Sequence, residues 1–226
     1  YWFMTTDKSA ADIDYTSALA RASGALIVYG SAQQYSRSGW NSAISAAGLD
    51  SATLSNDLPN DISGYSLIVD YRLNYGSKAS KTPEISNLAT WLQTPANTLV
   101  LLAGEQCCQA AQMLAYGNLL LDAVGGGEVG SAPRDVSLEN FDISSSVVSS
   151  LFSTLSGGQF QCVGCGPKIT QVSGSGVNLT SYLSFWSGSE LGSGYLGNIF
   201  MSTDIEWQTN SSGSRQNQQL LNALAD

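Results

Sequence analysis

The sequence predicts an α/β fold, with a mostly parallel sheet flanked by helices and an additional β-rich excursion in the second half of the chain. Two observations predict it. Short, continuously apolar runs, typical of strands buried on both faces, alternate with helical segments over residues 25–124. Glycine- and serine-rich stretches then separate shorter β-like runs over residues 160–186, before an apolar run and a helix return over 197–225.

Residues 1–24, which precede this alternation, have a different pattern. They open with a cluster of large apolar residues, Tyr1, Trp2, Phe3 and Met4. Acidic residues and a short Ala-rich helical stretch follow. Four large apolar side chains are costly to leave in water, so the cluster either packs back on its own domain or docks on a neighbouring subunit. We expect an N-terminal arm and short helix over 1–24, and a single α/β domain over 25–226.

The first half of the predicted domain contains four strands and three helices. Strands are expected at 25–29, 52–54, 66–70 and 98–103, and helices at 40–47, 82–92 and 109–121. Gly48 follows the first helix in the position where a left-handed residue commonly ends one. Pro83 and Glu84 open the second helix, with the proline at its first position. Strands that alternate with helices at this spacing form right-handed βαβ units, which make the sheet parallel.

The second half begins after a glycine run at 125–127 and a serine-rich stretch at 144–158. It contains shorter β-like runs at 160–163, 169–172 and 177–186, then a buried-type strand at 197–204 and a helix at 216–225. We interpret residues from about 157 to 190 as a β-rich insertion in the single domain.

This layout resembles the class I glutamine-amidotransferase-like family. The resemblance covers roughly residues 25–124 and 195–226. It rests on the first strand at 25–30, the strand Gly64-Tyr65-Ser66-Leu67-Ile68-Val69-Asp70, the helix ending at Trp91-Leu92, the strand and turn Leu101-Leu102-Ala103-Gly104-Glu105, and the last strand with Asp204.

The resemblance implies a flavodoxin-like, doubly wound sheet. It also implies a nucleophilic cysteine at a strand-to-helix turn, near Cys107 or Cys108. Enzymes of that family pair the cysteine with a histidine and an acid, whereas this chain has no histidine. It also lacks the glycine expected after the nucleophile. We therefore expect the family's fold without its amidase chemistry, and a protein that is not an enzyme.

The composition of the 226 residues excludes several other functions. Without histidine, neither a Ser-His-Asp nor a Cys-His arrangement can form within this chain. Nine Lys and Arg against eighteen Asp and Glu give a net charge of -9, which argues against nucleic acid and anionic membrane surfaces as partners. No apolar run reaches the eighteen or more residues of a membrane span. The charged fraction of 12% is about half of the average, which suits surfaces covered by subunits or an extracellular protein.

The four cysteines form two tight pairs, Cys107-Cys108 and Cys162-Val163-Gly164-Cys165. An even count favours disulfides in an oxidising compartment, with one pair joined to the other across the fold. A four-thiolate zinc site and free thiols are the alternatives. The sequence starts without a signal-peptide pattern, and we expect that such a peptide has been removed. Asn178 and Asn210 lie in N-glycosylation triplets and are candidate glycosylation sites.

Carboxylates follow three predicted strands: Asp70, with Arg72 two residues later, Glu105 and Asp204. The carboxyl ends of strands are where open α/β sheets bind ligands. These side chains are a candidate cation site, for which calcium is suited, or a general acid and base pair, or simply caps for helix and loop amides. A later aromatic stretch packs in the fold, forms a subunit contact or stacks sugar rings: Tyr182, Phe185, Trp186 and Tyr195.

These observations predict an extracellular structural protein, a self-assembling subunit of a filament, sheath or surface layer whose partner is itself. Low charge, the missing histidine, the aromatic arm and the paired cysteines favour this function together. The first alternative is an extracellular module that binds a glycan or a cation. The second is a carboxylate-dependent hydrolase. Apart from calcium, we expect no cofactor.

Overall fold

A computed structural model describes residues 24–30, 38–75, 78–105, 110–134, 138–145, 149, 151–161, 166–204 and 215–225. The helices within these ranges are α1 (Ser38–Ala46), α2 (Lys78–Trp91), α3 (Ala110–Val124) and α4 (Arg215–Ala225). The strands are β1 (Gly24–Val28), β2 (Thr53–Ser55), β3 (Tyr65–Asp70), β4 (Thr98–Leu102), β5 (Glu128–Ala132), β6 (Leu138–Asn140), β7 (Gln159–Gln161), β8 (Lys168–Ser173), β9 (Val177–Thr180), β10 (Leu183–Trp186) and β11 (Asn198–Ser202). None of the described helices is long and apolar enough to cross a membrane.

The described strands form a seven-stranded central sheet in the order β2-β1-β3-β4-β11-β10-β9. Neighbours are parallel from β2 through β11, and β10 and β9 extend the sheet as an antiparallel hairpin. Two small antiparallel sheets, β5-β8 and β6-β7, lie beside it. The predicted α/β class with a mostly parallel sheet is therefore confirmed.

The inner strands are buried because their apolar runs are continuous. Every residue of β4 is buried, and only the first residue of β1, β3 and β11 is partly exposed. The helices pack in two pairs, α1 against α4 and α2 against α3. One apolar face of α2 is buried, at Ile85, Leu88 and Ala89, and Leu92 directly after the helix is buried too.

Two features of the predicted elements differ from the structure. The prediction of Pro83 at the first position of its helix is wrong, because α2 begins at Lys78 and encloses the proline. Proline has no N–H to donate to the carbonyl of the residue four positions earlier. Near the start of the helix, this removes a single hydrogen bond. The run at 177–186 is also two strands, and both belong to the central sheet.

Candidate functional site

The candidate functional site lies at the carboxyl end of the parallel strands. Neighbouring strands β1, β3 and β4 end side by side there, so the residues that follow them are brought together. Gly30 lies two residues after β1, Asp70 ends β3, and Arg72 comes two residues later. In open α/β sheets this edge is where ligands bind.

Arg72 is the central residue of the site, with an exposed side-chain fraction of 1%. Its Nε donates to Asp70 Oδ1 at 2.9 Å, and its Nη2 donates to Asp70 Oδ2 at 2.6 Å. Asp70 Oδ1 also accepts from the backbone N–H of Arg72 at 3.2 Å. Asp70 and Arg72 form a bidentate ion pair. A planar guanidinium can make this geometry, whereas an ammonium group cannot.

The outer side of the guanidinium faces two further carboxylates. Nη2 donates to Glu84 Oε1 of α2, while Nη1 donates to Glu84 Oε2 and to Asp57 Oδ1, each at 3.4 Å. Lys81, one turn before Glu84, donates to Glu84 Oε2 at 2.9 Å. A guanidinium has five N–H donors, and here each is directed at a carboxylate oxygen.

Two tyrosine rings close the site from the side of α3. Tyr75 and Tyr116 stack with centroids 4.1 Å apart and planes 16° apart. The Arg72 guanidinium carbon lies 4.8 Å from the Tyr75 centroid and 5.8 Å from that of Tyr116, which is within cation–π range. The Tyr116 hydroxyl donates to Glu84 Oε1 at 2.6 Å, and that of Tyr75 donates to the Leu102 carbonyl at 3.3 Å. We call Asp70, Arg72, Tyr75, Glu84 and Tyr116 the Arg72 cluster.

Gly30 allows the chain to pass close to the arginine stem. Its φ is +52°, in the left-handed region that favours glycine. A Cβ added there would lie 3.0 Å from Arg72 Cγ, closer than ordinary packing contacts. The site therefore depends on a glycine at the end of β1 for both conformation and space.

The charges of the Arg72 cluster shift one another's pKa. Burial lowers the pKa of Arg72, but the charge of Asp70 and hydrogen bonds to Asp70 and Glu84 outweigh it, so the pKa is raised. Burial raises the pKa of Glu84, yet the hydrogen bond and charge of Arg72 reverse the direction and leave it below 4.5. Burial, together with the charge of Asp70, raises the pKa of both Tyr75 and Tyr116 well above 10.0. Glu84 and the guanidinium are therefore ionised, and both tyrosines are neutral, at neutral pH.

The other two predicted carboxylates lie at the same edge, after the next strands of the sheet. Glu105 follows β4, Asp204 follows β11, and both are buried. The Glu105 backbone packs against Gly166, where an added Cβ would lie 2.7 Å from the Glu105 nitrogen. Gly166 in turn donates its N–H to the Thr203 carbonyl at 2.5 Å. Within the described ranges no group of three or more acidic or cysteine side chains is placed to hold a metal ion, and Asp70 is paired with Arg72.

Several predicted site residues lie outside the described residues: Tyr1, Trp2, Phe3, Met4, Cys107, Cys108, Cys162, Cys165 and Asn210. Asn178 lies in β9, where its Oδ1 accepts from Ser184 Oγ at 2.6 Å and from Gln171 Nε2 at 3.3 Å.

The aromatic stretch of the second half is part of the core. Tyr182, Phe185 and Trp186 are buried, and Trp186 donates to the Gly126 carbonyl at 3.0 Å. Tyr195 is partly buried, and its hydroxyl donates to the Ala123 carbonyl at 3.0 Å. The packing interpretation of the three buried residues is confirmed, and their rings offer no face on which a sugar could stack.

Sequence analysis identified Asp70 and Arg72 at the strand end but not their partners. Glu84 and Tyr116 lie on helices far along the chain, and their contacts depend on how α2 and α3 pack. One signal was present: Lys81 and Glu84 are three residues apart, the spacing at which oppositely charged side chains meet on a helix.

Comparisons with family models, with curated proteins and with solved structures find no match to this chain.

Proposed function

We propose that this chain is a self-assembling structural subunit of an extracellular filament, sheath or surface layer, and not an enzyme. One observation carries the proposal: at the edge of the sheet where α/β proteins bind ligands, the described ends of β1 and β3 are occupied by the Arg72 cluster. Every guanidinium donor is directed at a side chain of the same chain. A ligand at this edge would have to displace buried ion pairs, so we assign the function to the outer surfaces of the molecule.

The proposal includes a doubly wound, amidotransferase-like fold without the amidase activity of that family. Its support is the strand order, because the parallel strands β2-β1-β3-β4-β11 follow the doubly wound order 2-1-3-4-5. The pairing of α1 with α4 and of α2 with α3 suits helices on both faces of the sheet. The missing histidine removes the base on which cysteine nucleophiles of that family rely.

The proposal also includes disulfides that join Cys107 or Cys108 to Cys162 or Cys165, and hence an oxidising compartment. Its support is the contact between Glu105 and Gly166, because these residues lie two positions before the first pair and one position after the second. Consecutive Cα atoms are about 3.8 Å apart, so the two pairs are within a few residues' reach of each other. A bridge here would close a loop of over fifty residues, for about 4 kcal/mol of stability.

Peptide mapping under non-reducing conditions tests the disulfides. We expect fragments carrying 107–108 to remain joined to fragments carrying 162–165 until a reductant is added. Alkylation of all four cysteines in the unfolded, unreduced chain would contradict the pairing.

The alternative functions, ligand binding and hydrolysis, need side chains that are buried or already paired within this chain. The glycan-binding module needs exposed aromatic faces, whereas Tyr182, Phe185 and Trp186 are buried. The cation site and the hydrolase need Asp70 free of Arg72, to which it is bound at 2.6 Å. Calorimetry with calcium and with a panel of glycans separates these functions from assembly, because the structural subunit predicts no saturable heat.

Deletion of residues 1–9 tests the assembly itself. The 226-residue chain is expected to form large species in sedimentation and polymers in electron micrographs, and the deletion variant to remain small. The matched control replaces Thr5, Thr6 and Ser9 by alanine and keeps the aromatic cluster, so it should assemble normally. Unchanged assembly of the deletion variant would refute the arm, and a chain that never assembles would refute the function.

A further inference from the structure

An apolar groove of about 590 Å³ lies at the opposite end of the sheet from the Arg72 cluster. Helix α1 runs back from the carboxyl end of β1 to the amino end of β2, and the groove lies where it turns into that strand. Its apolar lining comes from Ile44 of α1, from Leu49 and Ala52 of the turn, and from Leu54 of β2. The remaining lining residues are asparagine, serine and glycine, so no charged side chain among the described residues lines it.

Strand β2 gives this groove an open backbone edge. It is the last strand on its side of the described sheet and is bonded to β1 alone. Leu54 in its centre is 47% exposed, which is unusual for leucine on a strand with a free edge. An exposed edge with an apolar side chain next to an apolar groove is the arrangement to which an extended segment adds.

The segment at residues 1–23 joins the fold beside this groove. It is followed by Gly24, the first residue of β1, two positions before Leu26, and Leu26 pairs with Thr53, which lies between the lining residues Ala52 and Leu54. The apolar cluster Tyr1–Met4 has the uncharged, aromatic chemistry that an uncharged apolar groove accommodates.

The length of the segment favours the groove of a neighbouring subunit. Nineteen residues separate Met4 from Gly24, which span about 30 Å as a helix and over 60 Å when extended. The groove of the same chain is next to Gly24, so a few residues would reach it. A spacer this long is comparable to the width of the domain, whose radius of gyration is about 17 Å for this chain length.

We propose that residues Tyr1–Met4 of one subunit occupy the groove between α1 and β2 of a second copy. This inference rests on the proposed function and names the surface through which assembly takes place. The contact joins two different surfaces of the same chain, so each subunit presents both an arm and a groove, and the chain of contacts continues unless its rotation closes a ring.

A labelled synthetic peptide of residues 1–9 tests the groove on the chain that lacks those residues. We expect saturable binding, reduced at least tenfold by Leu54→Glu and unchanged by Leu138→Glu. Leu138 is the matched control, since it is 52% exposed and lies on β6, away from the groove. Ser51→Glu, at an exposed lining position, replaces Leu54→Glu if that variant does not fold. Absence of saturable binding, or equal binding to the groove variants, overturns the proposal.

Mixing two variants tests whether the contact is between subunits. One variant keeps the arm and carries Leu54→Glu, and the other lacks residues 1–9 and keeps the groove. Each alone should sediment as a monomer, and the mixture should give a one-to-one complex and nothing larger. No complex, although the peptide binds, would mean that the arm of one subunit does not reach the groove of another, and would overturn the proposal.

Different results would refute the proposed assembly function and the proposed contact between arm and groove. If deletion of residues 1–9 stops assembly while Leu54→Glu leaves it unchanged, the arm docks elsewhere, and the function stands without this groove. If the 226-residue chain does not assemble and the mixture gives no complex, both proposals fail.

Discussion

The two ends of the central sheet differ in the polarity and exposure of their side chains. At the carboxyl end, the Arg72 cluster buries charges, and each guanidinium donor meets an acceptor within the chain. At the amino end, the groove between α1 and β2 is apolar and open, with Leu54 half exposed. In α/β proteins the open surface that binds ligands is usually at the carboxyl ends of the strands, so the positions of the open and the closed surface are reversed here.

This difference follows from the energetics of the two kinds of surface. A buried guanidinium is tolerated only when its charge and all its donors are paired, and the described partners of Arg72 meet this condition. An apolar groove is stable in water but gains free energy when another apolar surface covers it. The groove is therefore the surface at which we propose that a second copy docks.

The largest expected effect is at the closed end, with Arg72→Met. The substitution keeps an apolar stem but leaves the fully buried Asp70 without its cation and Glu84 with Lys81 alone. We expect a loss of about 3–5 kcal/mol in the free energy of unfolding, measured by urea denaturation. Arg134→Met, at an exposed arginine, is the control and should change stability by less than about 0.5 kcal/mol. Similar values for the two variants would contradict the role of the Arg72 cluster.

A smaller effect is expected for Gly30→Ala, which tests the close approach of β1 to Arg72. Gly48→Ala is a matched control, because Gly48 also has a positive φ, +69° against +52°, but an added Cβ there meets nothing within 4 Å. Both variants should lose about 1 kcal/mol for the left-handed conformation. Gly30→Ala should lose roughly 1 kcal/mol more, because its Cβ crowds the arginine stem. Equal losses in thermal or urea unfolding would show that the contact with Arg72 is unimportant.

The smallest effect is the dependence of stability on pH through Glu84. Its pKa is lower in the folded chain than its ordinary value of 4.5, so the folded state binds this proton less readily than the unfolded state. Its contribution to stability is therefore complete above that value and is lost as the pH falls below it. We expect unfolding curves of Glu84→Gln to lose less stability between neutral pH and pH 3 than the unmodified chain. Glu128→Gln, at an exposed glutamate, should keep the original pH dependence.

Local patterns predicted the central strands well, for a physical reason. A strand buried on both faces must be apolar along its whole length, as in β3 and β4, and that signal is contained in a few neighbouring residues. Strands β5 and β6 were not predicted, because the short sequences Glu128–Ala132 and Leu138–Asn140 contain no such run. The predicted start of α2 is wrong because a proline is favoured at the first position of a helix, whereas α2 begins five residues before Pro83.

The candidate site was predictable only in part. Asp70 and Arg72 are two residues apart at a strand end, so their position at the ligand edge follows from the parallel sheet. That Arg72 neutralises Asp70 instead of leaving it for a cation depends on Glu84 and Tyr116, which only the packing of α2 and α3 brings to it. The role of the aromatic stretch is ambiguous in the sequence for the same reason. The residues are the same whether their rings are buried in the core or exposed to a sugar.

The Arg72 cluster also has a consequence for folding. Its contacts join Gly30, Asp57, Glu84 and Tyr116, which lie on five separate stretches of chain together with Arg72 itself. Desolvation of the guanidinium is favourable only when these partners are in place, so an intermediate that buries Arg72 with half of them is penalised. We expect the network to form late in folding and to be broken early in unfolding, which makes the region from β1 through α3 open and close as one cooperative unit.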